Sequence, residues 1–196
     1  MEKLHNFKEI GVLGGGTALS LQIGHRVSYD FDIFTNDKLP HNLWKDITKV
    51  FGESCEKLLD YEDQLNLKTP NGVNVTFFYD DYKLLFGTVK SDYISLMNIN
   101  DIACNKAYTV GKRPKWRDYV DLYFLLKDKH ITLENIIGFS SKKFGSDFSE
   151  RLFLQQFVYW DDVIDHHIEF LGEKVPPDDI KSFLFEEIKK FGRLEL

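Results

Sequence analysis

Apolar and polar positions alternate with a short period in the first half of the chain and with a helical period in the second. Glu9 to Leu13 reads as a short buried strand running into Gly14-Gly15-Gly16. Thr17 then opens an apolar helix, Ala18-Leu19-Ser20-Leu21-Gln22-Ile23, which Gly24 stops. Tyr29 to Phe34 alternates with period two, the mark of a strand with one functional or solvated face. Leu43, Ile47, Val50 and Phe51 give Leu43 to Phe51 helical spacing. Strands are expected over Lys57 to Tyr61 and Gln64 to Lys68, and Pro70-Asn71-Gly72 turns the chain into a strand over Val73 to Phe78.

Beyond about Ser95 helices take over. Asn100 or Asp101 caps a helix through Tyr108, and Trp116 to Lys127 carries Tyr119, Leu122, Tyr123 and Leu126 at helical intervals. Leu133 to Phe144, Phe148 to Trp160 and Asp178 to Phe191 follow, divided by Gly145-Ser146 and Pro176-Pro177. The pattern predicts an α+β fold: a mixed sheet flanked by helices over residues 1–95, then a helical region over 96–196. No Gly/Pro/Ser-rich spacer divides the two parts, so they are expected to pack as one unit.

Composition narrows the function classes. With 43% hydrophobic residues and only 5 Pro, the chain has the material for a core and is not disordered. No apolar run approaches the roughly 20 residues of a membrane span, and the first residues carry no secretory signal. Cys55 and Cys104 have no CxxC partner and read as reduced, buried thiols of a cytoplasmic protein. A net charge of −6 argues against sequence-specific binding of duplex DNA. Within it, Lys106, Lys112, Arg113 and Lys115 form a basic stretch without an intervening carboxylate. Such a patch suits a small polyanion such as a nucleoside triphosphate, or a local contact with RNA; a solvated basic loop is the plainer alternative.

Asp30 and Asp32 are the strongest candidates for chemistry. Two apart on a strand, they project from one face with Cα atoms roughly 6.6 Å apart, a spacing that suits a divalent metal. An exposed acidic strand face explains a lone pair equally well. The preceding glycines change that weighting. Gly15 and Gly16 lie between a strand and a helix N-terminus, where backbone amides and the helix dipole favour phosphate.

These residues resemble a known family. Gly15-Gly16-Thr17-Ala18-Leu19, Gly24-His25-Arg26 and Ser28-Tyr29-Asp30-Phe31-Asp32-Ile33-Phe34 are similar to the first motif of the AbiEii/AbiGii-type nucleotidyltransferase toxins, a branch of the polymerase-β-like superfamily. The second signature, KxxxxxxRxxxRDxxDL, is matched by Lys106, Arg113, Arg117, Asp118, Asp121 and Leu122. The resemblance implies a nucleotidyltransferase-like fold and metal-dependent transfer of a nucleoside monophosphate from a triphosphate. It implies Mg²⁺ or Mn²⁺ on Asp30 and Asp32, and nucleotide contacts from Gly15, Gly16, Thr17, Ser28, Arg113 and Arg117. Catalytic roles fall on Asp30, Asp32, Lys106 and Asp121. It further implies the toxin of a toxin–antitoxin or phage-defence pair, with a cognate antitoxin and with tRNA or another RNA as acceptor.

Physical chemistry supports part of the second motif. Arg113 and Arg117 offer planar forks to phosphate oxygens and Lys106 a compact charge. Apart from the carboxylates of the following helix, Lys106 and Arg113 have none at helical spacing in their own segment, so they are expected to face the cleft rather than to act as structural ties, with Arg117 suited to both. Asp118 and Asp121 are suited to orient the basic residues, to ligate metal or to take a proton; an ion-pair network is the plainer reading. One departure concerns the superfamily's third carboxylate, from a strand resembling VxVDFF. Here Thr76 stands in that place, and Asp80 is roughly 13 Å further along a strand. Asp118 or Asp121 then substitutes, the substrate supplies the group, or transfer is weak. The rival class is a nucleotide-binding module that acts through a partner. His166-His167, with Asp161, Asp162 and Asp165, reads as an exposed helix face, and Trp44, Trp116 and Trp160 as packing anchors.

Overall fold

Alternating side chains build the sheet. In the computed structural model, which describes residues 1–35, 37–161, 163 and 167–192, Gly11–Gly14 form β1 and Phe31–Thr35 form β2. Glu56–Asp60, Gln64–Lys68 and Asn74–Tyr79 form β3, β4 and β5. The five strands run in the order β1-β2-β5-β4-β3, and only the β2–β5 pairing is parallel. Each strand lies within one or two residues of its expected position. Ile33, Leu65, Leu67, Val75 and Phe77 are buried on one face. A 3₁₀ helix over Glu2–Phe7 and the helix α2, Leu43–Phe51, cover that face. Phe7 meets Phe77 edge-on at 5.0 Å and stacks on Phe51 at 5.9 Å. Residues of opposite parity, Asp32, Phe34, Asn66, Thr76 and Phe78, remain partly exposed on the other face.

Helix α1 spans Gly15–Ile23, beginning two residues before the expected Thr17. Four of the helices in the C-terminal half are α3, Ile99–Val110; α4, Trp116–Lys127; α5, Leu133–Phe144; and α7, Pro177–Phe191. All four lie close to their expected spans, and none of the described helices is long and apolar enough to cross a membrane. Helix α6 is shorter than expected, Glu150–Gln155 rather than Phe148 to Trp160. Tertiary packing overrides the periodicity there. Phe157 is fully buried, and Trp160 packs on Tyr119 at 4.8 Å and on Trp116 at 6.1 Å. His167 likewise lies in irregular chain rather than in a helix, and His166 lies outside the described residues.

The chain divides into two compact units. The first comprises Met1–Leu21 and Ser28–Asn98; the second comprises Ile99–Leu196 together with Gln22–Val27. The sheet and its covering helices belong to the first. In the second, α3 packs on α4 and α5 around Ala103, Cys104 and Ala107. Lys143 and Asp101, both buried, pair at 2.8 Å in that core.

Candidate nucleotide site and a buried charge cluster

In the first unit the candidate site begins where β1 gives way to α1. Gly14 pairs with Asp32 across the antiparallel β1–β2 ladder, and Gly15 follows with φ of +64°. A Cβ on Gly15 would run into Oδ2 of Asp32. Both the left-handed backbone and the close approach of the carboxylate therefore require glycine at this position. The first turn of α1 contains no acidic residue. Its amides are those that a helix leaves without intrahelical acceptors, and the positive end of the helix dipole lies there.

Thr17 is buried in that turn, and its hydroxyl donates to the carbonyl of Asp30. Its Oγ1 also lies 2.9 Å from Oγ of Ser28. The threonine thus ties the start of α1 to the residues leading into β2. Asp30 precedes the strand, and its Oδ1 accepts a 3.0 Å hydrogen bond from the side-chain amide of Asn74. Asn74 was not legible as a site residue, because only the parallel register of β2 and β5 brings it beside Asp30. The same register sets Thr76 directly opposite Asp32. Asp80 lies beyond the end of β5 and accepts from the backbone N–H of Tyr82 at 3.0 Å. Thus the first unit gathers Gly15, Thr17, Ser28, Asp30 and Asp32, with hard oxygen donors of the type that Mg²⁺ and Mn²⁺ prefer.

The second motif has a different geometry. Lys106, expected in a cleft, is buried, with Nζ 2.5 Å from Asp118 Oδ1 and 2.6 Å from Asp121 Oδ2. The carboxylates that contradict that expectation come from the next helix, α4, which α3 packs against. Asp121 is wholly buried and also receives Arg26 Nε at 2.6 Å, Arg26 Nη2 at 3.0 Å and His25 Nε2 at 2.8 Å. Burial by itself would raise the Asp121 carboxyl, but Lys106 and Arg26 outweigh it and hold the group far below the usual carboxylate range. Burial likewise works against the Lys106 ammonium, yet Asp118 and Asp121 hold it above its ordinary value. Of the readings open for Asp118 and Asp121, this geometry has the form of an ion-pair network, with Lys106 shared between the two carboxylates and Arg26 on Asp121. Arg113, in the turn after α3, and Arg117, in the first turn of α4, are exposed. His25 and Arg26 were part of the first motif without an assigned role, and nothing in the sequence pattern pointed to Asp121 as their partner.

Comparisons with known proteins agree with this fold. Residues 3–190 match the family described as Nucleotidyl transferase AbiEii toxin, Type IV TA system. An uncharacterized protein of Aquifex aeolicus strain VF5 is 27% identical over 184 residues, 91% of this chain and 86% of its own length. Among solved structures, JHP933 from Helicobacter pylori superposes with a TM-score of 0.62 at 20% identity, covering 96% of this chain and 87% of that one. The nucleotidyltransferase toxin MenT4 of Mycobacterium tuberculosis gives 0.62 at 13% identity, covering 99% and 82%.

Proposed function

Since the chain belongs to the AbiEii nucleotidyl transferase toxin family, and is thereby a nucleotidyltransferase, we propose that it moves a nucleoside monophosphate from a triphosphate to an RNA acceptor, tRNA included, with Asp30 and Asp32 holding Mg²⁺ or Mn²⁺. The single observation that carries the reading is the Asp32 carboxylate lying against the positive-φ Gly15 at the start of α1. It sets a metal-binding type of side chain beside a phosphate-binding type of helix terminus. A divalent ion held there neutralises phosphate charge and polarises the reacting phosphoryl group.

The first-turn amides of α1, at Gly15 and Gly16, hold phosphate oxygens of the triphosphate. Thr17 and Ser28 fix the backbone at Asp30, and Asn74 fixes one oxygen of its carboxylate. In the transfer, an acceptor oxygen bonds to the α-phosphorus, the bond from that phosphorus to the bridging oxygen breaks, and pyrophosphate departs. Arg113 and Arg117 supply exposed guanidinium groups for phosphate oxygens. Lys106 and Asp121, buried against each other, serve by holding charge inside the second unit rather than by touching phosphate. As a family toxin the protein works beside a cognate antitoxin; we place it in the cytoplasm and in phage defence.

The test is incubation of the protein with each α-labelled nucleoside triphosphate and total RNA, with Mg²⁺ or with chelator. Covalent label on RNA that depends on the divalent ion and disappears in Asp32→Asn is expected. Label on no acceptor under any of these conditions would refute transfer to RNA.

A further inference from the structure

The connection from α1 to β2 is where the sequence motif outruns the function described so far. It is seven residues long, from Gly24 to Asp30. A connection of this kind ordinarily lies on the surface, and Tyr29 is 68% exposed. His25 and Arg26 are instead each only 4% exposed. Arg26 grips Asp121 with two nitrogens and His25 donates a third hydrogen bond to the same carboxylate. The backbone of this segment is held as well. Val27 N–H donates to Glu169 O at 2.8 Å, Leu171 N–H donates to His25 O at 3.3 Å, and Arg26 bridges Phe170 in antiparallel fashion. Residues Gln22–Val27 accordingly belong to the second unit, although the chain on either side belongs to the first.

We infer that His25 and Arg26 are positioning residues: by clamping on Asp121 they fix the segment that runs directly into Ser28, Asp30 and Asp32, and so set where those groups meet the nucleotide. The inference rests on the nucleotide-site reading above. The link is covalent and short. From Arg26 to Asp30 the chain advances at most about 13 Å. Ser28 and the Asp30 carbonyl then engage Thr17, so displacement at Arg26 has few bonds in which to dissipate before it reaches the carboxylates. A clamp that only stabilised the second unit would not need to be formed by the residues adjoining the site. The Lys143–Asp101 pair, equally buried in the same unit and far along the chain from these carboxylates, supplies the comparison.

The experiment is hydrogen–deuterium exchange of peptides covering residues 28–35, together with ATP binding in Mn²⁺, for the full chain and its variants. Arg26→Lys keeps the charge but loses the planar fork. Asp101→Asn breaks the comparison pair. At temperatures where all variants are folded, Arg26→Lys is expected to speed exchange over 28–35 roughly tenfold. It should also weaken ATP binding about tenfold or more, the usual effect of removing a group that orients a metal ligand. Asp101→Asn should do neither. His25→Gln, which retains a donor for Asp121, should match the parent, whereas His25→Leu should follow Arg26→Lys. If Arg26→Lys does not fold, the His25 pair decides. Parental exchange over 28–35 in Arg26→Lys or His25→Leu overturns the proposal, as does equal acceleration in Asp101→Asn, or fast exchange with parental ATP affinity. A parent that binds none of the four nucleoside triphosphates with Mn²⁺ refutes the nucleotide-site reading instead, and the clamp is then decided by exchange alone.

Discussion

The side-chain amide of Asn74 donates a 3.0 Å hydrogen bond to Oδ1 of Asp30, at the point where the parallel pairing of β2 with β5 begins. A donor on one carboxylate oxygen restricts the orientation of the other. Because the pair is exposed, Asn74→Ala is expected to leave the melting temperature near that of the parent. Divalent-dependent triphosphate affinity should fall by about 1 kcal/mol, roughly fivefold, the net value of one hydrogen bond. Calorimetric titration with and without chelator measures this, and parental affinity would remove Asn74 from the site.

Gly15 and Gly24 share a φ of +64° but differ in their surroundings. A Cβ on Gly24 meets nothing within 4 Å, whereas one on Gly15 strikes the Asp32 carboxylate. Gly24→Ala therefore carries only the cost of the left-handed conformation, roughly 1–2 kcal/mol. Gly15→Ala should cost more than that in urea unfolding and should also abolish triphosphate binding. Equal losses of stability would show that Asp32 moves aside freely.

Asp121 accepts from two cations and a histidine while wholly buried. Removing its charge leaves Lys106 and Arg26 facing each other with less compensation. Asp121→Asn is expected to lose about 3–5 kcal/mol, the range for breaking a buried ion pair. Denaturant unfolding reads the difference, and a loss below 1 kcal/mol would mean that the cluster is solvated in solution.

The same group shapes the acid limb of stability. The folded carboxyl of Asp121 lies well below the usual carboxylate range, to which an unfolded aspartate at about 3.9 belongs. Its stabilising contribution is therefore complete above roughly pH 4 and is lost as the pH falls through the folded value. Lys106, held above its ordinary 10.5, contributes throughout the neutral range and loses that contribution only as the pH rises through its folded value. Unfolding free energy measured from pH 5 down to pH 2 should fall more steeply in the parent than in Asp121→Asn. Identical slopes would contradict the assignment.

The two thiols should react unequally. Burial pushes Cys104 up to about 11 and also raises the less buried Cys55. At pH 7.5 a thiol reagent is expected to label Cys55 first in the folded protein and both cysteines in urea. Early labelling of Cys104, followed by mass spectrometry, would show that the α3–α5 core opens readily.

The strands, most helices and the Gly15–Asp32 region were legible because local rules govern them. Period-two alternation, a glycine turn and a DxD spacing act within a few residues, whereas the pairing of Gly14 with Asp32 spans the whole of α1. Sequence spacing also aligned Lys106, Asp118 and Asp121 as one motif, but not the direction in which Lys106 points. That direction depends on α3 packing against α4, where the carboxylates of one helix neutralise the ammonium of the other. His25 and Arg26 meet Asp121 across 96 and 95 positions, and Asn74 meets Asp30 across 44. No periodicity encodes such distances. The sequence by itself determined which segments become strands and helices and which residue types gather at the α1 turn. Only the tertiary structure decided which charges are buried, because a charge enters the interior only where folding brings it an opposite partner.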